Sequence, residues 1–435
     1  METMGANRVV NKILITALLV LLLSISGVSA LADEFQIIPS IAVRQEHNSN
    51  IFFTFDDVED DQITTVIAGA ELRERTERLD LNLKVRIAPF FYWDNDDLND
   101  IDQDYRGRIG YQLTERFDVK ADGAFGVDHR PDRDVATTGL VQSADRRDRY
   151  HFGFGGGYNL TETTATSLSY AYDRDNWDSD SDREDFTGHS VNLGFAHHLG
   201  RWLETSTGRL NFGYDDYHYE SSDIKSFSGT VGIQSQLSEI FKLQVDVGAR
   251  YVDSDFDTIQ YVPVPPNLLV PQVVGETNSG WGGIGIASLK YLGERTNSGL
   301  TISHDLRPGG GQQGPSVLTR VIFDVNYLLL EKLSLGLSSS FFRNKADADD
   351  FSAFEIDQYT YNVRPRFRWE FYKSFTLEGA YAYSYVDNRV INDHKDQHRV
   401  YLQIAYGYPL FELIGFFSQY GGTAPAGTYP WPEPR

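Results

Sequence analysis

Apolar and polar residues alternate with a period of two through most of this chain. From Leu79 to Val85, Leu79, Leu81, Leu83 and Val85 are separated by Asp80, Asn82 and Lys84, and the rhythm returns as far as Tyr408. Such a period places the apolar set on one face of a strand and the polar set on the other. Segments of this kind recur from 36–46 and 62–73 at the start to 375–387 and 398–409 at the end, and 18 can be counted. Their uniformity, with aromatics on one parity, fits one closed sheet better than soluble β-sandwich domains.

The connections are of two kinds. One is tight and nearly repeats itself, as in Leu113-Thr114-Glu115-Arg116-Phe117, Leu160-Thr161-Glu162-Thr163-Thr164, Leu237-Ser238-Glu239-Ile240-Phe241 and Leu329-Leu330-Glu331-Lys332-Leu333. The other is longer and acidic, with clusters at Asp56–Asp61, Asp94–Asp97, Asp178–Asp185 and Asp347–Asp350. Transmembrane barrels have short periplasmic turns and longer outer loops, so the acidic connections are expected to face the medium. The fold class is therefore all-β: a transmembrane antiparallel up-and-down barrel of 16–18 strands.

The N-terminus sets the compartment. Arg8 and Lys12 precede an apolar run from Ile13 to Leu23, and Ala30-Leu31-Ala32 offers small residues before Asp33. This reads as a cleaved signal peptide over 1–32, since the run is short of the ~20 residues of a membrane helix. The barrel is then expected over 33–411, in the outer membrane of a Gram-negative bacterium, followed by a Pro-rich periplasmic extension over 412–435.

Composition agrees. Hydrophobic residues make up 41%, too few for a helical membrane protein, whereas 25 Tyr, 27 Phe and 6 Trp suit the aromatic belts of a barrel. Without cysteine, thiolate metal sites and cysteine nucleophiles are excluded. The formal charge of −23 includes Glu2, Arg8 and Lys12; removing that net +1 leaves −24 on the mature chain, which argues against nucleic acid as a partner.

With the apolar parity facing lipid, the other parity lists the lumen. Its cationic members, the expected substrate path, are Lys84, Arg86, Arg106, Arg108, Arg149, Arg250, Arg320, Arg364, Arg366 and Arg368, with Arg147, His151, Arg209, Arg307 and Arg399 on the same face. Guanidinium offers paired donors to carboxylate or phosphate, so one reading is a ladder for anions. The other is a salt-bridge lattice with neighbours such as Asp80, Asp104, Asp118, Asp122, Asp246, Asp305 and Glu378. Pro365, inside Val363-Arg364-Pro365-Arg366, removes a ladder donor, and a bulge is expected there.

Other features carry less chemistry. The 255–278 connection is apolar but interrupted by Pro263, Pro265, Pro266 and Pro271, and is expected to be irregular; it either constricts the pore or packs on a partner or on neighbouring loops. His189 precedes Ser190 directly, so the two lie on opposite faces of a strand and form no dyad. His129 and His394 lie among acids, and no enzyme is expected. Gly153-Phe154-Gly155-Gly156-Gly157 lacks the setting of a phosphate cradle and is expected to accommodate neighbouring side chains. No cofactor or specific metal is expected.

The Pro39-Ser40-Ile41-Ala42-Val43 strand and Asn48-Ser49-Asn50-Ile51-Phe52, followed by an acidic loop and a train of Tyr- and Arg-rich hairpins, resemble the β-barrel porin 2 family. The resemblance implies an outer-membrane barrel associated with exopolysaccharide biosynthesis and export. The last strand, with Val400, Leu402, Ile404, Tyr406 and Tyr408 on one face, resembles the signal read by the outer-membrane assembly machinery. The expected function is a porin-like passive channel for polar solutes or exported exopolysaccharide, favouring anions. The alternatives are a structural or surface-interaction barrel with a plugged lumen and, behind it, an outer-membrane hydrolase. Expected partners are outer-membrane lipid and lipopolysaccharide, the assembly machinery and a periplasmic polysaccharide-export component.

Overall fold

The computed structural model describes residues 34–407, apart from 142–143, 179–182, 201–202, 204, 265–267, 309–313, 349 and 352–354. The expected signal segment and C-terminal extension lie outside the described residues. Eighteen strands make up the fold, and one 3₁₀ turn, Asp96–Leu98, sits between two of them. β1 (Glu34–Asn48), β2 (Asp61–Arg75), β3 (Leu79–Tyr92), β4 (Asp100–Thr114), β5 (Phe117–Asp128) and β6 (Arg147–Asn159) open the chain. β7 (Thr164–Trp177), β8 (Phe186–His198), β9 (Ser206–Tyr219), β10 (Ser222–Gln236), β11 (Phe241–Val264) and β12 (Leu268–Leu292) follow. β13 (Thr296–Arg307), β14 (Ser316–Leu330), β15 (Leu333–Ala346), β16 (Ile356–Tyr372), β17 (Phe375–Asn388) and β18 (Asp393–Gly407) complete it.

Each strand pairs antiparallel with its sequence neighbours, and β1 pairs with both β2 and β18. The sheet thus closes on itself without an edge, which lets a β-structure satisfy its backbone groups in lipid. Outward residues are apolar and exposed, as at Phe152, Phe154, Leu168, Val247 and Leu402. Outward aromatics pair across strands, as in Tyr214–Phe227 and Phe375–Tyr406, at centroid separations of 5.0 and 4.9 Å. The nearly repeated tight turns gather at one rim and the longest connections at the other, where Glu220 and Ser221 alone join β9 to β10. The glycine run of β6 does what was expected of it: a Cβ on Gly157 would sit 2.7 Å from the Asp118 carboxylate, and one on Gly153 2.9 Å from that of Asp122.

Two expectations fail. Pro365 causes no bulge: Val363 pairs with Tyr383 and Arg366 with Ala380 in one unbroken register, and Pro365 itself pairs with Leu337 on the other side. A proline can be carried without a shift because only its own donor is lost: the ladder to β17 skips Arg364 and Pro365 and resumes in the same register. Nor is the 255–278 connection irregular. β11 and β12 pair without interruption from Phe241↔Tyr291 to Val264↔Leu268, making a two-stranded ribbon that outruns its neighbours. Leu269 and Val273 are exposed on it, and none of its described residues lines the arginine-walled constriction.

Candidate functional site

The lumen is narrowed by a different connection. The longest one, from His129 to Arg146 between β5 and β6, folds inward and reaches the opposite wall. Its root is fixed by Arg147, which is fully buried and donates to Asp134 at 2.8 Å and Asp128 at 3.3 Å. Its tip is held by β15 and β16: Asn344 donates to the Thr138 carbonyl at 2.9 Å, and Gln358 and Thr360 each donate to the Gly139 carbonyl at 2.6 Å. Gly139 has φ 78°, and a Cβ there would lie 2.5 Å from Phe342 Cβ, so both backbone and space call for glycine.

Between root and tip the loop is tied by charge. Arg130 donates to Glu46 on β1 at 2.6 Å, Arg399 on β18 contacts Asp132 at 2.7 Å, and Arg133 donates to Asp102 on β4. Burial would raise the Asp132 carboxyl, but Arg130 and Arg399 outweigh it and hold the group down at about 2. A second inward loop braces the first. Asn50 closes a turn by bonding Thr54 in both directions, and Gln397 donates to its carbonyl at 2.7 Å. That turn drives Phe53, fully buried at φ 55°, against Val135 of the long loop and Val386. A bulky residue in the left-handed region is strained, so packing must hold it there.

Beneath the loop lies a cleft walled by β1–β4 and β16–β18. Six guanidinium groups face it, from Arg44, Arg86, Arg130, Arg133, Arg364 and Arg399, against three carboxylates, from Glu46, Asp102 and Asp132. Three positive charges are left in excess. Arg44 is 6% exposed; it donates to the Gln403 amide oxygen at 3.0 and 2.7 Å and lies 4.3 Å from the Tyr401 ring centroid. Among the described residues, neither Arg44 nor Arg86 has a carboxylate within ion-pair distance. Phe90 and Tyr401 add apolar walls.

Of the ten cations expected to line the path, Arg86 and Arg364 meet here. The others spread round the wall. Lys84 lies 3.5 Å from Glu71, Arg106 3.1 Å from Asp104, and Arg149 3.2 Å from Asp134. Arg250 is 3.2 Å from Asp305, on strands roughly opposite the cleft in the ring. Arg320 donates to Ser303 at 2.7 Å and Arg366 to Asn326 at 2.8 Å. Arg368 is half-buried and pairs in register with Glu378, and Arg108 is exposed. The arginines thus stand in two settings: paired with wall carboxylates or amides over much of the barrel, and in charge excess in the cleft.

Reading the sequence missed Arg44, Arg130 and Arg133, and left Arg399 outside the path. Arg44 could have been found, because it shares parity with Ala42 and Glu46 on β1. Arg130 and Arg133 sit in a segment without periodicity, and nothing local marks it as folding inward. The hydrolase candidates separate: Ser190 points inward and donates to Asp215 at 2.7 Å, whereas His189 faces outward against Tyr170 at 2.8 Å. His129 contacts Asp100 and Asp102, and His394 lies tilted against Tyr385, with ring centroids 6.1 Å apart.

No known family profile matches the chain, and no curated protein matches it. Solved structures do. Pseudomonas aeruginosa OccK2 (OpdF) is 9% identical, with 86% of this chain and 98% of that chain covered and a TM-score of 0.42. The outer membrane protein opdK from Pseudomonas aeruginosa is 10% identical, with 86% and 99% covered and a TM-score of 0.43. Acinetobacter baumannii OccAB1 is 12% identical, with 87% and 99% covered and a TM-score of 0.43.

Proposed function

We propose that this protein is a passive outer-membrane channel in which the His129–Arg146 loop sets the width and the arginine cleft beneath it favours anionic solutes. The observation that carries this reading is the excess of six guanidinium groups over three carboxylates at the constriction. Planar paired donors suit carboxylate and phosphate, and Arg44 and Arg86 keep their charge uncommitted to wall carboxylates. The neutral partners of Arg44, Gln403 and Tyr401, orient its guanidinium without cancelling it, which suits a site that must bind and then release.

The same cleft suits the repeated carboxylates of an acidic exopolysaccharide, the cargo that the sequence resemblance implies. A polymer would have to pass beside the inward loop, so small anions are the first choice. A plugged barrel is the second reading, favoured by the apolar clusters with which Ile51, Phe53 and Phe351 pack loops against inward strand residues. Single-channel conductance of the refolded mature chain, under a salt gradient, separates these readings. Anion-selective opening supports the proposal, and block by acidic oligosaccharides would bring in the polymer. A silent barrel that stays silent after shortening of the 129–146 loop would refute the channel.

A further inference from the structure

The outward face of the wall changes character at one level. Tyr170, Val191, Tyr214, Phe227, Tyr251 and Trp281 lie opposite one another in continuous register from β7 to β12. Trp281 is 77% exposed, and the row has the make-up of a barrel's aromatic belt. At the next outward position toward the long loops, β7 to β11 carry Tyr172, His189, Asp216, Lys225 and Asp253, again in register. Side chains thus pass from aromatic to charged in one step of the strand, which sets the second row at the depth of lipid headgroups in the outer leaflet.

Several outward cations at this rim are already paired. Arg343 lies 3.4 Å from Asp357, Arg389 3.5 Å from Asp387, Lys345 2.9 Å from Asp347 and Arg146 2.9 Å from Asp148. Arg174 and Lys225 are not. Arg174 on β7 is exposed and donates to the Asn176 amide oxygen at 2.7 Å, with no carboxylate in ion-pair distance among the described residues. Lys225 on β10 is exposed and stands in register between Asp216 and Asp253, yet neither comes within ion-pair distance. Asp216 faces His218 instead, at 3.5 Å, and the other ring nitrogen of His218 meets Asp223 at 2.6 Å. The two cations are three strand spacings apart, about 14 Å. Between them sit Thr187 and His189, whose Nδ1 bonds the Tyr170 hydroxyl at 2.8 Å and whose ring lies 6.4 Å from that of His218. Below the belt the same face is apolar and exposed at Leu168, Leu193 and Phe212.

We infer that the outward face of β7–β10 is a docking site for a bisphosphorylated glycolipid of the outer leaflet, with one phosphate on Arg174 and the other on Lys225. The spacing of the two cations matches a disaccharide carrying a phosphate at each end. Its sugar hydroxyls would lie across Thr187 and His189, and its acyl chains on Leu168, Leu193 and Phe212. Guanidinium and ammonium each make charge-assisted hydrogen bonds to phosphate. A phospholipid, with a single phosphate, reaches only one of the two. The site is on the outside of the wall and rests on the barrel spanning a membrane, not on what the lumen conducts.

The test places the full mature barrel in detergent micelles holding equal amounts of a bisphosphorylated disaccharide glycolipid, its monophosphorylated form and phosphatidylglycerol. Lipids that stay bound are counted by native mass spectrometry. The bisphosphorylated glycolipid is expected to be retained ahead of both competitors. Arg174→Gln and Lys225→Gln should each weaken its retention about fivefold, the effect of one unit charge ~4 Å from a phosphate in a water-like medium. The double variant should hold it no better than phosphatidylglycerol. An Arg343→Gln, Arg389→Gln pair removes two cations from another face of the same rim and should leave retention unchanged. Single-channel conductance of the same proteins should not move, because the substitutions lie outside the lumen, so a silent channel and an empty lipid site are separate results. Equal retention of phosphatidylglycerol and the bisphosphorylated glycolipid by the wild type would overturn the site. So would wild-type retention by the 174–225 double variant, or an equal loss in the 343–389 pair.

Discussion

Replacing Asp132 with asparagine should loosen the constriction without unfolding the barrel. Asp132 is 3% exposed in its side chain and is shared by Arg399 at 2.7 Å and Arg130 at 3.1 Å. Asparagine keeps the shape but leaves two buried guanidinium groups facing a neutral amide, and breaking a buried pair costs ~3–5 kcal/mol. At 1.4 kcal/mol per decade, the ratio of seated to released loop falls by roughly a hundred to several thousand fold. The ties at Gly139 and Phe53 remain, so the variant is expected to flicker between the seated conductance and a larger one. The wild type should do likewise in acid. The folded-state value of about 2 lies below the ordinary 3.8, so the contribution is complete above about pH 4 and is lost as pH falls through about 2. That difference is on the order of 2 kcal/mol. Single-channel recording at neutral pH and in acid is the assay, with heat-modifiable migration as the control for an intact barrel. An Asp132→Asn barrel with the conductance and noise of the wild type at neutral pH would refute the latch.

Gly139→Ala should enlarge conductance steadily rather than intermittently, because the left-handed backbone costs ~1–2 kcal/mol for alanine and the new Cβ would lie 2.5 Å from Phe342 Cβ. Arg44→Gln and Arg86→Gln should each lower the anion-to-cation permeability ratio, read from reversal potentials. A unit charge ~4 Å from a permeating ion in a water-like medium is worth ~1 kcal/mol, or about fivefold, whereas Arg108→Gln, at an exposed site away from the cleft, should change little. Phe53→Ala removes a fully buried ring from between the two inward loops, a loss of ~3–5 kcal/mol for a large aromatic. It should expose residues 49–60 and 129–146 to protease while the strands stay protected; unchanged cleavage would count against the brace.

Much of the barrel was written in the period-two pattern. The segment 117–128 matches β5 at both ends, and most others fall within a few residues, because alternation is a local property that each strand carries alone. The parity that puts Arg86 and Arg364 inward is equally local. What the pattern could not carry was the behaviour of connections. The proline-rich 255–278 segment looked irregular, yet paired backbone overrode its composition; the His129–Arg146 segment carries no periodicity, yet it crosses the lumen. Its ties are to Glu46, Arg399 and Gln358, up to hundreds of residues away, and no local rule brings them together. By itself, then, the sequence determined a closed wall of sixteen to eighteen strands with arginines on its inner face, because strand faces follow from neighbours in the chain. Only the tertiary structure decided which arginines are neutralised and where the pore narrows, because those depend on which charges closure of the sheet sets side by side.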